Sequence, residues 1–279
     1  MEALLASYGD ASSDSDSNSS SQRPSLADSS DSNPLPPPPL SLLNPLNSLG
    51  TLDFPRTSQT SRIRSFPHVD GNYALHVYIP VHIPPQSKKE LALFLRKVTL
   101  HEQSLHVVDV DVPLNILCKS NEKFEDVTLG REFHISLGRT VPIRVHQIDS
   151  IVSMLQQKLQ TQRKYMIDFS KWEVFVNDDH TRTFLSLEIL DGGLTEIRKQ
   201  IQVVNAVYKL HNLPEFYEDP RPHISVAWAL GDIGNSLKRI VQEEELKGFT
   251  RGRSLKKCLF SSKFNGIVCK IGKKIYKVC

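Results

Sequence analysis

The sequence predicts an α+β fold in which two duplicated, pseudo-symmetric lobes, each an antiparallel sheet with helices, flank a central cleft. The tripeptide His-Ile-Ser occurs twice, at 134–136 and 223–225, each time inside a strand-like apolar run. Apolar residues recur at helical spacing between the two copies, over 148–159 and 194–211. Residues 1–60 are instead dense in Ser, Asp, Asn and Pro, which predicts a disordered N-terminal arm.

The chain divides by charge as well as by composition. The arm, residues 1–60, carries a net charge of −5, so residues 61–279, which we predict to form the bilobal domain, carry +8. The run Pro36–Pro39 within the arm is typical of a spacer or of a ligand for an SH3- or WW-like groove. The sequence therefore assigns no particular protein partner to this acidic, proline-rich arm.

The first lobe is predicted to begin with a strand over 73–79 that ends at Pro80. Ser87 then has the pattern of a helix cap, and Glu90 three residues later completes a capping box. The first His-Ile-Ser copy follows in a strand over 133–138.

The remaining elements follow from the spacing of apolar residues and from glycine or proline breaks. We predict helices over 148–159, 194–211 and 237–245, strands over 165–169, 172–176, 184–190 and 223–229, and a closing hairpin of 266–269 with 274–278. Each half of the chain thus contains a helix and a His-Ile-Ser strand, which predicts one lobe from each half.

Each His-Ile-Ser strand places its histidine and its serine on one face. Because successive side chains of a strand alternate, His134 shares a face with Ser136, and His223 shares a face with Ser225. Two imidazoles and two hydroxyls that converge on one ligand are suited to a phosphate under attack by a hydroxyl. The alternative is that these are partly buried strand histidines with only packing or hydrogen-bonding roles.

The four side chains supply the groups that RNA cleavage requires. An imidazole pKa near 6.5 allows one histidine to accept the proton of a ribose 2′-hydroxyl and the other to protonate the departing 5′-oxygen. Serine hydroxyls that donate to non-bridging oxygens stabilise the added negative charge. No metal or other cofactor is expected, because the sequence has no H-E-x-x-H motif, no Asp-rich two-metal cluster, no C-x-x-C pair and no Walker-type glycine loop.

These paired strands resemble the 2H phosphoesterase superfamily, whose members place two H-x-S/T motifs in a cleft between pseudo-symmetric lobes. A closer similarity, to the U6 small nuclear RNA phosphodiesterase family, covers most of residues 61–279 and is carried by RSFPHVDGNYALHVYIP, EFHISLGR, HTRTFLSLEI, NLPEFYEDPRPHISVAWALGD and CKIGKKIYKV. The resemblance implies a metal-independent 3′→5′ exoribonuclease of the nucleus. Such an enzyme trims the oligouridine end of U6 small nuclear RNA and leaves a 2′,3′-cyclic phosphate.

The resemblance also implies roles for individual residues. The acid–base pair and the two phosphate donors are His134, His223, Ser136 and Ser225. Tyr217 matches an aromatic residue that stacks on the terminal base, although packing on the core is the alternative for it. Arg221 is a further substrate-binding candidate, which adds a cation beside the cleft. The other eight histidines, His76 among them, show no shared spacing and are expected to have surface or packing roles.

The basic end of the chain favours a nucleic-acid partner. From Lys247 onward there are ten Lys and Arg residues and no Asp or Glu, and clustered cations attract polyanions. A solvated basic face or a nuclear-localisation patch accounts for this charge equally well. We expect a monomeric nuclear protein that binds single-stranded, uridine-rich RNA. With four cysteines, no signal-peptide pattern and no apolar run of membrane-spanning length, we also expect free thiols and no membrane association.

Two other functions stay open from the residues alone. One is a 2H cyclic phosphodiesterase or 2′,5′-phosphodiesterase that acts on small nucleotides, which the ten cations disfavour because a mononucleotide does not need them. The other is a non-catalytic RNA-binding splicing factor. The two intact His-x-Ser copies disfavour that function, because a pure binding protein needs no matched acid and base.

Overall fold

A computed structural model of the protein describes residues 66, 67, 69–119, 121–250 and 258–279. The predicted arm at 1–60, with its proline run, lies outside the described residues, as do four of the ten basic residues near the C-terminus. Among the helices that are described, none is long and apolar enough to cross a membrane.

The described residues form a mixture of strands and helices. The strands are β1 Asn72–His82, β2 His106–Val107, β3 Glu132–Ser136, β4 Val141–Arg144, β5 Met166–Val176, β6 Arg182–Ile189, β7 His223–Leu230, β8 Phe260–Lys263, β9 Val268–Ile271 and β10 Lys274–Lys277. The helices are α1 Pro85–His101, α2 Leu114–Leu117, α3 Asn121–Leu129, α4 Ile148–Leu159, α5 Leu194–Leu210 and α6 Gly234–Thr250. A 3₁₀ turn, Val145–Gln147, precedes α4. This mixture confirms the predicted α+β class.

The strands form two antiparallel sheets of five strands each. The first sheet has the order β10-β9-β1-β3, with β4 also paired to β1, and the second has the order β2-β7-β6-β5-β8. Strand β3 of the first sheet contacts β7 of the second. The two His-Ile-Ser strands therefore lie where the sheets meet.

Two helices pack on the sheet opposite to the one whose strand they adjoin in sequence. Helix α1 follows β1 of the first sheet but packs on the second sheet, where Phe94 stacks on Trp172 of β5 with ring centroids 4.7 Å apart. Helix α5 leads into β7 of the second sheet but packs beside the first, where Tyr208 lies against Gly138 and donates a hydrogen bond to the carbonyl of Arg139 (3.2 Å). The lobes are interleaved along the chain, so the expectation of one lobe from each half is wrong.

Strand β1 continues through Pro80, where the sequence predicts its end. The N–H of Leu137 donates to the carbonyl of Val77 (2.9 Å), so the odd-numbered residues of β1 bond to β3 and the nitrogen of Pro80 faces the opposite edge. Pairing with β9 on that edge ends at Tyr78. The proline is tolerated because no strand among the described residues pairs with β1 on that edge at Pro80.

Helix α1 begins two residues before the predicted cap. Pro84 is the N-cap residue and Pro85 the first helical residue, a position whose N–H has no intrahelical partner. The backbone N–H of Ser87 donates to the carbonyl of Pro84 (3.0 Å), and the helix has no side-chain cap. The predicted capping box is therefore wrong.

The other predicted elements are present with small shifts at their ends. The two strands predicted over 165–169 and 172–176 are one strand, β5, with a bulge between Phe169 and Lys171. The short elements β2, β4, β8, α2 and α3 were not predicted, because so few residues give little periodic signal.

Candidate active site

The two His-Ile-Ser strands present their polar side chains on the face of each sheet that lies away from the helices. In each copy the histidine and the serine are half-buried, and the isoleucine between them is fully buried. Because β3 contacts β7, the two polar faces meet in one cleft. The structure thus brings together the four residues that the sequence singles out: His134, Ser136, His223 and Ser225.

The imidazole of His223 is fixed by a hydrogen bond from one ring nitrogen and by stacking on an aromatic ring. Its Nδ1–H donates to the carbonyl of Arg221 (2.8 Å), since a carbonyl oxygen can only accept. Its ring stacks on Phe175 with centroids 4.1 Å apart. Burial lowers the pKa of His223, and the hydrogen bond to Arg221 and the charge of Glu188 only partly oppose this. A neutral ring with its proton on Nδ1 leaves Nε2 free to accept a proton.

His134 has different surroundings. Burial lowers its pKa, the carboxylate of Asp109 opposes that effect, and the positive charges of Arg131 and His223 reinforce it. Neither ring nitrogen of His134 has a hydrogen-bond partner within the described part of the chain. The positive charge of a protonated His223 therefore acts on His134 across the cleft.

Each serine hydroxyl has a side-chain neighbour on the next strand of its own sheet. Ser136 Oγ lies 3.0 Å from Nε2 of His76 on β1. Ser225 Oγ lies 3.2 Å from Oγ of Ser186 on β6, a side chain that is fully buried. The two phosphate-donor candidates are therefore supported by different chemical groups.

His76, for which the sequence predicts only a surface or packing role, is a third histidine of the cleft. Its ring centroid is 4.9 Å from that of His134, in an edge-on arrangement, and 4.9 Å from that of Tyr78. Burial, together with the positive charges of His134 and Lys270, lowers the pKa of His76 to about 3. The imidazole is therefore neutral near neutral pH.

A cavity of about 500 Å³ extends from His134 across the polar face of the first sheet. Its lining includes His76, Tyr78 and Thr140, and Lys270 on β9 supplies a cation opposite His76. Pockets of this volume hold ligands of nucleotide size. The cavity therefore provides space for a nucleoside next to His134, one of the two motif histidines.

Tyr217 lies beside the loop that follows β3. The guanidinium of Arg139 is 4.2 Å from the centroid of its ring, and its hydroxyl donates weakly to Asp178 (3.4 Å). The side chain is 45% exposed, so it is not a core residue. Arg139 also forms an ion pair with Asp178 (2.8 Å). This cluster joins the segment before the second motif to the segment after the first.

Arg221 directs its guanidinium to carboxylates of the second sheet. It donates two hydrogen bonds of 2.7 Å to buried Glu188 and one of 2.9 Å to Glu173. These hydrogen bonds, that to Glu188 above all, raise the pKa of Arg221. Its side chain is thus engaged with protein groups, and its carbonyl anchors His223.

Sequence reasoning missed the neighbours of the motif residues, chiefly His76, Ser186, Glu188 and Lys270. Strand alternation within β1 places His76 and Tyr78 on one face, and this pattern is visible in the segment NYALHVYIP. This pattern does not show that β1 pairs with β3, because the pairing joins distant residues: Tyr78 pairs with Ser136, 58 positions later. The contacts of Ser186 and Lys270 depend on pairing in the same way.

Three comparisons place the chain among known proteins. The sequence model of the HVSL family, described as "Uncharacterised conserved protein", matches residues 36–279. The U6 snRNA phosphodiesterase 1 of Xenopus laevis is 32% identical over 206 residues, which cover 74% of this chain and 73% of the relative. That of Homo sapiens is 29% identical over 252 residues, which cover 88% of this chain and 85% of the relative.

The fold also matches a solved structure. Kluyveromyces marxianus Usb1 with uridine monophosphate superposes with a TM-score of 0.51 and 14% sequence identity, over 74% of this chain and 96% of that one. An identity this low supports the fold alone. The family model covers most of the chain, and the Xenopus laevis relative is more than 30% identical over about three quarters of both proteins. The chain therefore belongs to the HVSL family and to the family of the U6 snRNA phosphodiesterases.

Proposed function

We propose that the protein is a metal-independent 3′→5′ exoribonuclease of the nucleus that trims the oligouridine 3′ end of U6 small nuclear RNA. The observation that carries this proposal is the contact between β3 and β7, which brings the imidazoles of His134 and His223 into one cleft beside two serine hydroxyls. The family supports a phosphodiesterase that acts on RNA. The uridine monophosphate bound to the Usb1 relative supports uridine as the terminal nucleoside.

The chemistry follows from the state of each imidazole. His223 carries its proton on Nδ1, so its Nε2 accepts the proton of the ribose 2′-hydroxyl. The 2′-oxygen then attacks the adjacent phosphorus, and the P–O5′ bond breaks. His134, which has no competing hydrogen bond in the described residues, donates its proton to the departing 5′-oxygen. The products are a released nucleoside or nucleotide and an RNA that ends in a 2′,3′-cyclic phosphate.

The two serines stabilise the charge that develops during this attack. The phosphorane has one more negative charge than the diester, and hydroxyl donors already in place lower its free energy. Ser136 and Ser225 lie on opposite walls of the cleft, so each donates to a different non-bridging oxygen. Tyr217 offers a half-exposed ring for stacking on the terminal base, with Arg139 on its other side.

The proposal is tested with 5′-labelled oligouridine in the presence of EDTA. We expect wild-type protein to shorten the RNA stepwise from its 3′ end, and mass spectrometry to find a cyclic phosphate on each product. His134→Ala and His223→Ala should both shorten the RNA about 10²- to 10⁴-fold more slowly, whereas His82→Ala, at the exposed end of β1, should be as active as wild type. Cleavage restricted to cyclic or 2′,5′-linked dinucleotides, or binding without cleavage, would overturn the proposed function.

Tyr217 provides a separate test of substrate binding. If its ring stacks on the terminal base, Tyr217→Ala should raise KM for oligouridine about tenfold, since a stacked base contributes about 1–3 kcal/mol. Tyr217→Phe keeps the ring and should change KM little, because the hydroxyl contact to Asp178 is long at 3.4 Å. Equal KM values for the alanine variant and wild type would remove the stacking role.

A further inference from the structure

We propose that His76 is a positioning residue that orients the hydroxyl of Ser136 towards the phosphate. The inference rests on the proposed function and adds to it the group that holds one phosphate donor in place. His76 lies on β1, between β3 and β9, with its Nε2 3.0 Å from Ser136 Oγ. Neither the sequence motif nor the family resemblance assigns this residue a role.

The hydroxyl of Ser136 has a single proton, which it can donate to only one acceptor. Serine has one O–H donor and two acceptor lone pairs. If Ser136 donates that proton to His76, none is left for a phosphate oxygen. If His76 donates from Nε2–H, Ser136 Oγ accepts and its own proton is free to point into the cleft. Phosphate binding by Ser136 therefore requires His76 to be the donor.

The surroundings of His76 are consistent with a neutral donor. The groups that face its ring are Tyr78 on the same strand, His134 and Ser136 on β3, and Lys270 on β9. None of these is a carboxylate that would favour a second proton on the ring. A neutral imidazole has one N–H, and donation by Ser136 to a phosphate requires that N–H at Nε2 of His76. The ring then orients Ser136 without adding positive charge beside His134.

Two substitutions separate the hydrogen bond from the bulk of the ring. His76→Phe keeps an aromatic ring against His134 but removes the donor, and His76→Gln keeps a side-chain N–H at a similar distance from the backbone. We expect kcat on oligouridine to fall about tenfold in His76→Phe, the effect of one lost hydrogen bond. His76→Gln should recover most of that loss, and His82→Phe, at the exposed end of the same strand, should match wild type.

A double-mutant cycle with Ser136→Ala is the decisive measurement. Because His76 acts through Ser136, adding His76→Phe to Ser136→Ala should lower kcat by less than about twofold further. A tenfold loss that persists in the Ser136→Ala background would overturn the inference and assign His76 a packing role against His134. Thermal unfolding shows whether each variant is folded, and His76→Asn replaces His76→Phe in the cycle if the latter is not.

The outcome for His76 is separable from that of the proposed function. Wild-type protein that leaves oligouridine intact would overturn the proposed function. Wild-type protein that cleaves, combined with independent effects of the His76 and Ser136 substitutions, would overturn only the role of His76.

Discussion

The two His-Ile-Ser strands carry the same three residues, but the protein groups that contact their histidines differ. In the second sheet, His223 is tied through Nδ1 to the carbonyl of Arg221, whose side chain is paired with buried Glu188. In the first sheet, His134 has a neighbouring histidine, His76, and no ring hydrogen bond within the described residues. The position of the proton is therefore defined on one ring and is free to change on the other.

The serines differ in the same way. Ser225 has a buried hydroxyl, Ser186, beside it, whereas Ser136 has an imidazole. Both neighbours belong to the strand that pairs with the motif strand, β6 in one sheet and β1 in the other. The two copies are therefore alike in their strand conformation and in their three motif residues, but not in the side chains beside them. The paired strand determines how each motif residue is oriented and which proton it can give or accept.

The largest expected effect comes from removing either histidine. His134→Ala and His223→Ala should each lower kcat by about 10²- to 10⁴-fold, since each removes one proton transfer. The two variants should differ in pH dependence, measured as kcat/KM between pH 4 and 9. Loss of the base, His223, should abolish the fall in activity at low pH, and loss of the acid, His134, the fall at high pH. The reverse pattern would exchange the two roles.

Wild-type protein should show a bell-shaped pH profile of kcat/KM with its maximum on the acidic side of pH 6.5. Burial lowers the pKa of both histidines. The base must be neutral, so a lowered pKa extends its activity to lower pH. The acid must be protonated, so activity falls once the pH exceeds its lowered pKa. A maximum above pH 7 would contradict these directions for the free enzyme.

Removing either serine hydroxyl should have the next largest effect. Ser136→Ala and Ser225→Ala should each lower kcat about 100-fold with a smaller change in KM, as the loss of one oxyanion donor does. Ser136→Thr and Ser225→Thr keep a hydroxyl and are the matched controls. If only one of the alanine variants loses activity, only one wall of the cleft contributes a donor, and the comparison between the two motifs becomes sharper.

The ion pair of buried Glu188 with Arg221 should contribute more to stability than an exposed ion pair does. Arg221→Met leaves Glu188, which is 3% exposed, without its partner. We expect a loss of about 2–3 kcal/mol in the free energy of unfolding, below the full effect for a buried pair because Arg221 is itself partly exposed. Urea titration measures this. Arg198→Met, which breaks an exposed pair with Asp219, is the control and should change stability by less than about 0.5 kcal/mol.

Sequence alone predicts the parts of this site that depend on local pattern. Alternation along a strand places His134 with Ser136 and His223 with Ser225 on one face, and the structure shows these faces as predicted. Helix α4 begins and ends where the apolar spacing indicates. Such signals need only neighbouring residues.

The remaining features depend on pairings between distant segments. Arg221 is adjacent to the second motif in sequence, yet its charge is directed to Glu188, 33 residues earlier. His76 reaches Ser136 across 60 residues. Pro80 is compatible with a strand because, in the described part of the chain, no strand pairs with β1 on that edge at this position, and the local sequence does not contain this information.

The smallest effect that we predict is on stability at mildly acidic pH, and it concerns the first sheet alone. The pKa of His76 is about 3 in the folded protein and near 6.5 in an unfolded chain. Below pH 6.5 the unfolded state therefore binds a proton that the folded state does not, so stability falls as the pH falls. Between pH 7 and pH 5 this loss of stability amounts to about 2 kcal/mol.

The substitution His76→Gln removes that contribution. The free energy of unfolding of the variant should therefore decrease about 2 kcal/mol less than that of wild type over this range. Urea titrations at both pH values measure the difference, and parallel decreases in the two proteins would show that His76 is not held neutral by the first sheet.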